Sequence, residues 1–373
     1  MSDNLIELRK LIVSIERTVE KIFSPFSLKE LNLKNRFIRS ATMEGMASDD
    51  GSPSGELIEL YRKLAAGGVA LVSTSACHSD RTWVPNPRGH LYLDTDETLD
   101  QWEKMVKEVH QAGAKISLQL GPFFIYNGKP VGPSAYRPGI HELTIEEITQ
   151  LTLALAEAAH RAQRIGIDMV QVHAGHGYPI SQFISPFYNR RKDQYGGSPE
   201  NRARILVEIK EAIAEKTGQK FPVWIKLNSL DGQPGGMTPA DTDHYGQILS
   251  QAGYSIIEVS GGSPGGTHDS RGPLKKEDWF EGFYLQGAAR VKANTDLPVS
   301  AVGGIRRWEM IDQIISENTA DLISLSRPLI REPDLINRWN SGDLNPATCI
   351  SCNGCTKLLR KGLAIRCVQE KKQ

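Results

Sequence analysis

Short apolar runs alternate along the chain with longer stretches of helical periodicity. The eight apolar runs are Phe37–Met43, Val69–Ala76, Lys115–Leu120, Asp168–His173, Pro222–Asn228, Ser255–Gly261, Pro298–Gly303 and Leu322–Arg327. These runs are apolar on both faces, which is typical of strands in a parallel sheet that helices cover. Eight successive strand–helix units predict a closed (β/α)8 barrel, a TIM barrel of the α/β class.

Glycine and proline between these runs support the same fold. Four dipeptides end a helical pattern shortly before a strand, where glycine takes the left-handed conformation of a helix C-terminus: Ala66-Gly67, Ala112-Gly113, Ile165-Gly166 and Ala252-Gly253. Helix starts are indicated at Ser198-Pro199 and Thr238-Pro239, each with a capping hydroxyl before proline. A doubly wound sheet is the runner-up, but Ser40-Ala41-Thr42-Met43 after the first strand lacks its glycine-rich fingerprint.

The barrel accounts for most of the chain but not for its two ends. Before the first strand, helical spacing among charged residues predicts an amphipathic helix from Leu5, Leu8, Ile12, Ile15 and Val19. We therefore divide the chain into a helical extension at 1–22, a barrel at 23–345 and a short cysteine-rich segment at 346–373.

Charge and cysteine usage narrow the functional classes. The 44 basic and 44 acidic side chains balance, so no broad field attracts nucleic acid or a membrane surface. No apolar stretch of about 18 residues is present, and the grouped cysteines suggest metal ligands rather than disulfides. We expect a cytoplasmic enzyme for a small-molecule substrate; the oligomeric state stays open, a homo-oligomer included.

Polar residues and glycines gather where the predicted strands end, and those ends meet at one mouth of a barrel. After the last two strands, the backbone of Gly303 and Gly304 and the side chains of Ser326 and Arg327 are suited to cradle a phosphate. For either pair alone, a tight turn plus a surface arginine is an equally good interpretation. Their joint position favours the phosphate site.

A second polar group follows the fourth strand, in His173-Ala174-Gly175-His176-Gly177-Tyr178. Two imidazoles at a strand end suit a metal site, a substrate clamp or a loop that satisfies its own polar groups. Zinc would need a third ligand, and none stands at an obvious spacing. Tyr178 adds a hydroxyl able to give a proton.

The segment continues through Gln182-Phe183, Ser185-Pro186, Asn189, Arg191, Asp193, Tyr195-Gly196-Gly197-Ser198 and Glu200-Asn201-Arg202. This long gapless pattern resembles the signature of the old yellow enzyme family of NAD(P)H:flavin oxidoreductases. The resemblance extends from Phe23-Ser24-Pro25-Phe26 through Gly132-Pro133-Ser134-Ala135 to Ser326-Arg327-Pro328, almost the whole chain after residue 22.

The resemblance implies an FMN site and the roles of its residues. Matching positions place Ser40, Ala41 and Thr42 against the flavin, Thr74 near its ring and Gln119 at its pyrimidine edge. Lys226 falls where the family usually has an arginine beside flavin N1 and O2. It keeps the charge without the bidentate fork. The phosphate would lie on Gly303, Gly304, Ser326 and Arg327.

The same carry-over implies a reductase of activated C=C bonds. His173 and His176 match the pair that receives the substrate's carbonyl oxygen, and Tyr178 matches the proton donor. Hydride would come from reduced FMN, with NAD(P)H as the expected electron donor. After Gln119-Leu120 the chain departs from the family with Gly121-Pro122-Phe123-Phe124, so this side of the pocket is altered.

Four of the five cysteines stand close together, as Cys349-x2-Cys352-x2-Cys355-x11-Cys367. Three thiolates at x2 spacings suit a [4Fe–4S] cube better than paired zinc knuckles, although zinc and unliganded thiols remain alternatives. The spacing is similar to that of the trimethylamine dehydrogenase and 2,4-dienoyl-CoA reductase branch, whose chains continue into nucleotide-binding domains. Because this chain ends at Gln373, we expect an external electron carrier or direct reduction by NAD(P)H.

Three functions follow in order of preference. The first is an FMN-dependent reductase of enone or enoate double bonds. The second is a dehydrogenase or demethylase-type flavoprotein that passes electrons out through a [4Fe–4S] cluster. The third, from another class, is a flavin-free barrel that acts as a lyase or a binding protein.

Overall fold

A closed barrel of eight parallel strands forms the centre of the computed structural model, which describes residues 18–28, 30–83, 88–121 and 125–369. The strands are β1 Phe37–Arg39, β2 Leu71–His78, β3 Lys115–Leu120, β4 Met169–Ala174, β5 Val223–Asn228, β6 Ile257–Ser260, β7 Val299–Ala301 and β8 Leu322–Leu325. Pairing of Leu325 with Arg39 closes the ring between β8 and β1. This confirms the predicted (β/α)8 fold.

Helices follow the strands and cover the barrel. They are α1 Gly55–Ala66, α2 Leu99–Gln111, α3 Ile145–Arg164, α4 Pro199–Thr217, α5 Pro239–Gln251, α6 Leu285–Ala293, α7 Trp308–Ser316 and α8 Leu335–Asn340. The predicted caps are present, because Ser198 accepts from the Asn201 amide and Thr238 accepts from that of Asp241. Short helices occupy Pro179–Phe183, Arg327–Arg331 and Gly354–Leu359, and 3-10 turns occupy Arg81–Trp83 and Lys276–Asp278.

Left-handed glycines follow the helices as predicted, except that after α1 the left-handed residue lies one position later. Gly113, Gly166 and Gly253 are left-handed, with φ between 79° and 84°. After α1, Gly67 has φ −71° and Gly68 is the left-handed residue at 105°. The extra residue brings Gly67 so close to Pro333 that a Cβ there would lie 1.9 Å from its carbonyl oxygen.

Several short strands lie outside the barrel. One hairpin pairs Phe26–Ser27 with Asn32–Leu33, another pairs His268–Asp269 with Gly272–Pro273, and Leu91–Tyr92 pairs in parallel with the last two residues of β2. A small sheet combines Ile125–Tyr126, Lys129–Gly132 and His141–Glu142. Of the predicted N-terminal helix, residues 18–23 are helical and the remainder lies outside the described residues. No helix in the described ranges is long and apolar enough to cross a membrane.

The barrel interior is layered. Its lower layer is apolar, and the first hairpin covers it through Leu28, Leu31 and Leu33; the layer consists of Ile38, Leu71, Met169, Trp224, Ile256 and Leu322. Inward positions alternate along each strand, so residues two further on form the next layer. That layer is polar and contains Gln119, Gln171, Lys226, Glu258, Ser300 and Ser324, all buried. The prediction of strands apolar on both faces therefore fails at mid-barrel, where polar groups support the site above.

Candidate active site

A cavity of about 600 Å³ opens at the carboxyl ends of the barrel strands. This volume is in the range of small-molecule and cofactor pockets. Every residue assigned from the sequence to catalysis or cofactor binding, except Thr74, lines it: Ser40, Ala41, Thr42, Gln119, His173, His176, Tyr178, Lys226, Gly303, Gly304, Ser326 and Arg327. The convergence expected at one mouth of the barrel is therefore observed.

Three strands end at least two residues earlier than their apolar runs predict, and the freed residues form part of the cavity wall. β1 ends at Arg39, β7 at Ala301 and β8 at Leu325. Gly303 and Gly304 have φ of 128° and 72°, and a Cβ on either would lie within 3.0 Å of the Phe283 ring. These two positions require glycine, which lets the backbone line the pocket directly.

Thr74 lies behind the wall instead of in it. Its side chain is fully buried. The hydroxyl donates to the Ser75 carbonyl oxygen at 2.8 Å and accepts from the backbone N–H of Gln119 at 3.2 Å. Thr74 thus positions Gln119, and Ala76 of the same strand lines the cavity.

The two histidines are packed against each other at the mouth. Their ring centroids are 5.1 Å apart, and burial lowers both pKa values, that of His173 to about 3, with the Lys226 charge adding to the effect. Both imidazoles are therefore neutral near pH 7. The Gly175 amide donates to Nδ1 of His173 at 3.4 Å, which leaves the proton on Nε2 as a donor.

His176 is held by Asn228, a polar residue that the sequence places at the end of the fifth strand, and by Ser260, which the sequence did not point out. It has a left-handed backbone with φ 63°, and its amide donates to Oδ1 of Asn228 at 2.9 Å. Its Nε2 lies 2.8 Å from Oγ of Ser260, at the end of β6. If the Ser260 hydroxyl donates this bond, the Nδ1 proton of His176 is left for a ligand.

Tyr178 completes the group. Its ring stands edge-on to His173 at 4.8 Å, and burial raises the pKa of its hydroxyl above the usual 10. The hydroxyl is therefore protonated at neutral pH and lies beside two neutral imidazoles. His173, His176 and Tyr178 can therefore donate hydrogen bonds to a ligand in the cavity, and among the described residues no third His, Cys, Asp or Glu side chain joins the two imidazoles as a metal site.

A buried network below the cavity was missed by the sequence reasoning. Nε2 of Gln119 donates to Oε1 of Gln171 at 2.7 Å, and Nε2 of Gln171 donates to Oε2 of Glu258 at 2.9 Å. Lys226 donates to the same Glu258 oxygen at 2.9 Å and to Oγ of Ser40 at 2.8 Å. The available signal was an acid inside an apolar run, in Ile256-Ile257-Glu258-Val259.

The end of the cavity beside β7 and β8 carries the predicted phosphate residues. The hydroxyls of Thr42 and Ser326 are 2.8 Å apart and link the ends of β1 and β8. Arg327 donates to Oδ1 of Asn353 at 2.6 Å, which fixes its guanidinium at the pocket wall. Arg271 and Arg306 also line the cavity and were not identified from the sequence.

The cysteine-rich segment packs against this end. Cys355 lines the cavity, whereas Cys349, Cys352 and Cys367 lie outside the lining, and all four thiols are free. Among the described residues, no group of three or more His, Cys, Asp or Glu side chains is assembled as a metal site.

The backbone of the segment is tightly turned. Ser351 and Asn353 are both left-handed, with φ of 54° and 55°, on either side of Cys352. Turns of this kind aim successive N–H groups into a concavity, which is a feature of many iron–sulfur sites. The donor type and the backbone therefore suit a cluster, although the sulfur atoms are not drawn together.

Comparison with known proteins yields a consistent family. The profile of the NADH:flavin oxidoreductase / NADH oxidase family matches residues 21–344. An NADH oxidase from Thermoanaerobacter brockii is 33% identical over 349 residues, covering 90% of this chain and 53% of that protein. An NADPH dehydrogenase from Clostridium acetobutylicum is 31% identical over 331 residues, covering 84% of this chain and 92% of that protein.

Solved structures agree with these matches. A 2-naphthoyl-CoA reductase in complex with 2-naphthoyl-CoA superposes with a TM-score of 0.86 at 25% identity, over 94% of this chain and 56% of that one. The chain spans about half the length of the first curated relatives it matches, at 53% and 51%.

Proposed function

Because the chain belongs to the NADH:flavin oxidoreductase / NADH oxidase family, we propose that it binds FMN in the barrel-mouth cavity and reduces activated C=C bonds. The observation that carries the proposal is the composition of this one cavity. It joins a basic and glycine-lined end, a buried lysine–glutamine end and three hydrogen-bond donors, His173, His176 and Tyr178. Relatives named NADH oxidase and NADPH dehydrogenase support NAD(P)H as the electron donor.

The residues that would hold FMN are those of the two cavity ends. Gln119 uses its amide nitrogen on Gln171, so its amide oxygen is left to accept from the pyrimidine edge. Lys226 donates hydrogen bonds to Ser40 and Glu258, and its third N–H group is left to donate to the same pyrimidine edge. Gly303, Gly304, Ser326 and Arg327 would take the phosphate.

The catalytic roles follow from the three donors in the cavity lining, His173, His176 and Tyr178. FMN held there would supply hydride-transfer chemistry towards the β-carbon of a conjugated carbonyl compound. His173 and His176 would donate hydrogen bonds to the carbonyl oxygen, and these bonds strengthen as enolate charge develops. Tyr178 would then deliver a proton to the α-carbon.

The phosphate assignment predicts a difference between FMN and riboflavin, which lacks the phosphate. Replacing Arg327 with alanine is expected to weaken FMN binding about ten- to a hundredfold, the worth of one charge-assisted hydrogen bond, and to leave riboflavin binding unchanged. Fluorescence titration of both ligands measures this. Arg290→Ala is the control, because that arginine is half exposed and pairs with Asp243, and neither residue lines the cavity. Equal losses for both flavins would contradict a phosphate role for Arg327.

We further propose that Cys349, Cys352, Cys355 and Cys367 bind a [4Fe–4S] cluster, which would supply one-electron transfer. Cys355 in the cavity lining would bring the cluster within reach of the flavin. This supports electron exchange with an external carrier, either into the reductase or out of it in a dehydrogenase. Zinc in the same thiolates remains the competing occupant.

The cluster proposal has a direct analytical test. Protein prepared without oxygen is expected to contain about four irons per chain and to show an EPR signal after dithionite reduction. Cys352→Ser should remove most of the iron, whereas Cys77→Ser, which alters a buried cysteine of β2, should keep it. About one zinc per chain, with no cluster after reconstitution, would make the segment a structural knuckle.

A further inference from the structure

Lys226 and Glu258 form a buried pair inside the barrel, on two adjacent strands. The two residues are direct partners in the register of β5 and β6, and their side chains are 4% and 0% exposed. Nζ of Lys226 lies 2.9 Å from Oε2 of Glu258. Lys226 lines the cavity and Glu258 does not, so the lysine stands between the carboxylate and the ligand space.

Glu258 is ionised in this setting. Burial alone would raise the pKa of its carboxyl group, but the Lys226 charge and hydrogen bonds from Lys226, Ser40 and Gln171 lower it below the usual value. Its second oxygen, Oε1, has no hydrogen-bond partner among the described residues. The carboxylate therefore keeps its negative charge in a fully buried position beside the cavity.

The Lys226–Glu258 pair determines which charge lies beside a flavin bound in the proposed site. We propose that Glu258 positions Lys226 and partly cancels its charge. The pyrimidine edge of bound FMN then lies beside a nearly neutral pair, and the reduction potential of the flavin is lower than it would be beside a lone lysine. This inference rests on the proposed FMN site. A lone cation there would stabilise the negative charge that reduction brings, whereas a paired cation does so less.

The test removes the carboxylate while fixing the charge of its partner. A lysine that loses its counter-ion in a buried site can shed its proton, but an arginine cannot. We therefore compare Lys226→Arg with the double variant Lys226→Arg/Glu258→Gln, both loaded with FMN. The readout is the ratio of reduced to oxidised flavin at equilibrium with a dye of known potential. Glu157→Gln on α3 is the control, since it removes an equal charge from a half-exposed site.

The double variant is expected to raise the ratio roughly tenfold over Lys226→Arg at the same applied potential, which is the scale of one charge acting across a protein interior. The control should leave it within about twofold of wild type. A double variant that stays within about twofold of Lys226→Arg overturns the proposal. So does loss of FMN from the double variant alone, which would assign Glu258 a purely structural role. Failure of wild type to bind FMN would instead refute the proposed function.

Discussion

Replacing Tyr178 with phenylalanine is expected to slow the oxidation of reduced, FMN-loaded protein by an enone about 10²–10⁴-fold. Reduction of the same protein by NAD(P)H should stay close to the wild-type rate. The reason is that only the enone reaction needs a proton, and the Tyr178 hydroxyl is the protonated group packed against His173. Stopped-flow measurement of each half-reaction separates the two rates.

Tyr126→Phe provides a matched control. This tyrosine also loses only a hydroxyl, which bonds Gln150 outside the cavity, so both half-reactions should be unaffected. If Tyr178→Phe slows both half-reactions equally, or neither, Tyr178 is not the proton donor.

Replacing Arg39 with leucine is expected to lower the free energy of unfolding by about 3–5 kcal/mol at about pH 8, the cost of breaking a buried ion pair. Arg39 and Glu44 are each 1% exposed and 3.2 Å apart, and Arg39 also donates to the Ser40 carbonyl oxygen at 2.7 Å. Burial raises the pKa of Glu44 to about 7, with Arg39 opposing it, so both partners are charged at about pH 8. Urea denaturation measures the change.

The loss should depend on pH with a defined sign. A carboxyl group whose pKa is raised by folding contributes stability at low pH, and this contribution is lost as pH rises to the pKa of the folded state. Without Arg39, the pKa of Glu44 in the folded state rises further. The deficit of Arg39→Leu against wild type should therefore grow above about pH 7 and shrink below it. Arg62→Leu removes a solvent-exposed partner of Glu59 and should change stability little. Equal deficits in the two variants would contradict the argument.

The Arg39 prediction also bears on the site. Arg39 contacts Thr42, and Thr42 and Ser40 both line the cavity, so the pair fixes the loop that replaces the end of the first strand. FMN binding to Arg39→Leu should therefore weaken along with stability.

The barrel and most of the cavity were predictable from the sequence, because strand ends in such a fold meet at one mouth. The resemblance to the old yellow enzyme family, drawn from the run beginning at His173, is confirmed by the family match. The resemblance led us to expect Thr74 near the flavin ring, whereas the structure places its side chain behind the cavity wall, in contact with the backbone of Gln119. The register between β2 and β3 shifts at Ser73 and Ala76, next to Thr74.

The polar layer inside the barrel could not be predicted in the same way. Glu258 is a single acidic residue in an apolar strand, and its role depends on Lys226, a partner on another strand. Only the register of the two strands places these residues side by side. The cysteine spacing was visible in the sequence. Its contact with the cavity through Cys355 was not, because the intervening chain has no regular pattern that sets its path.

The most direct test of the proposed function mixes reduced, FMN-loaded protein with 2-cyclohexenone in the absence of oxygen, while flavin absorbance and the organic product are followed. The proposal predicts that the flavin is reoxidised and that about one cyclohexanone forms per flavin. Flavin that stays reduced with the enone, in a protein whose oxidised flavin is instead reduced by an amine or an alcohol, would contradict a C=C reductase and favour a dehydrogenase.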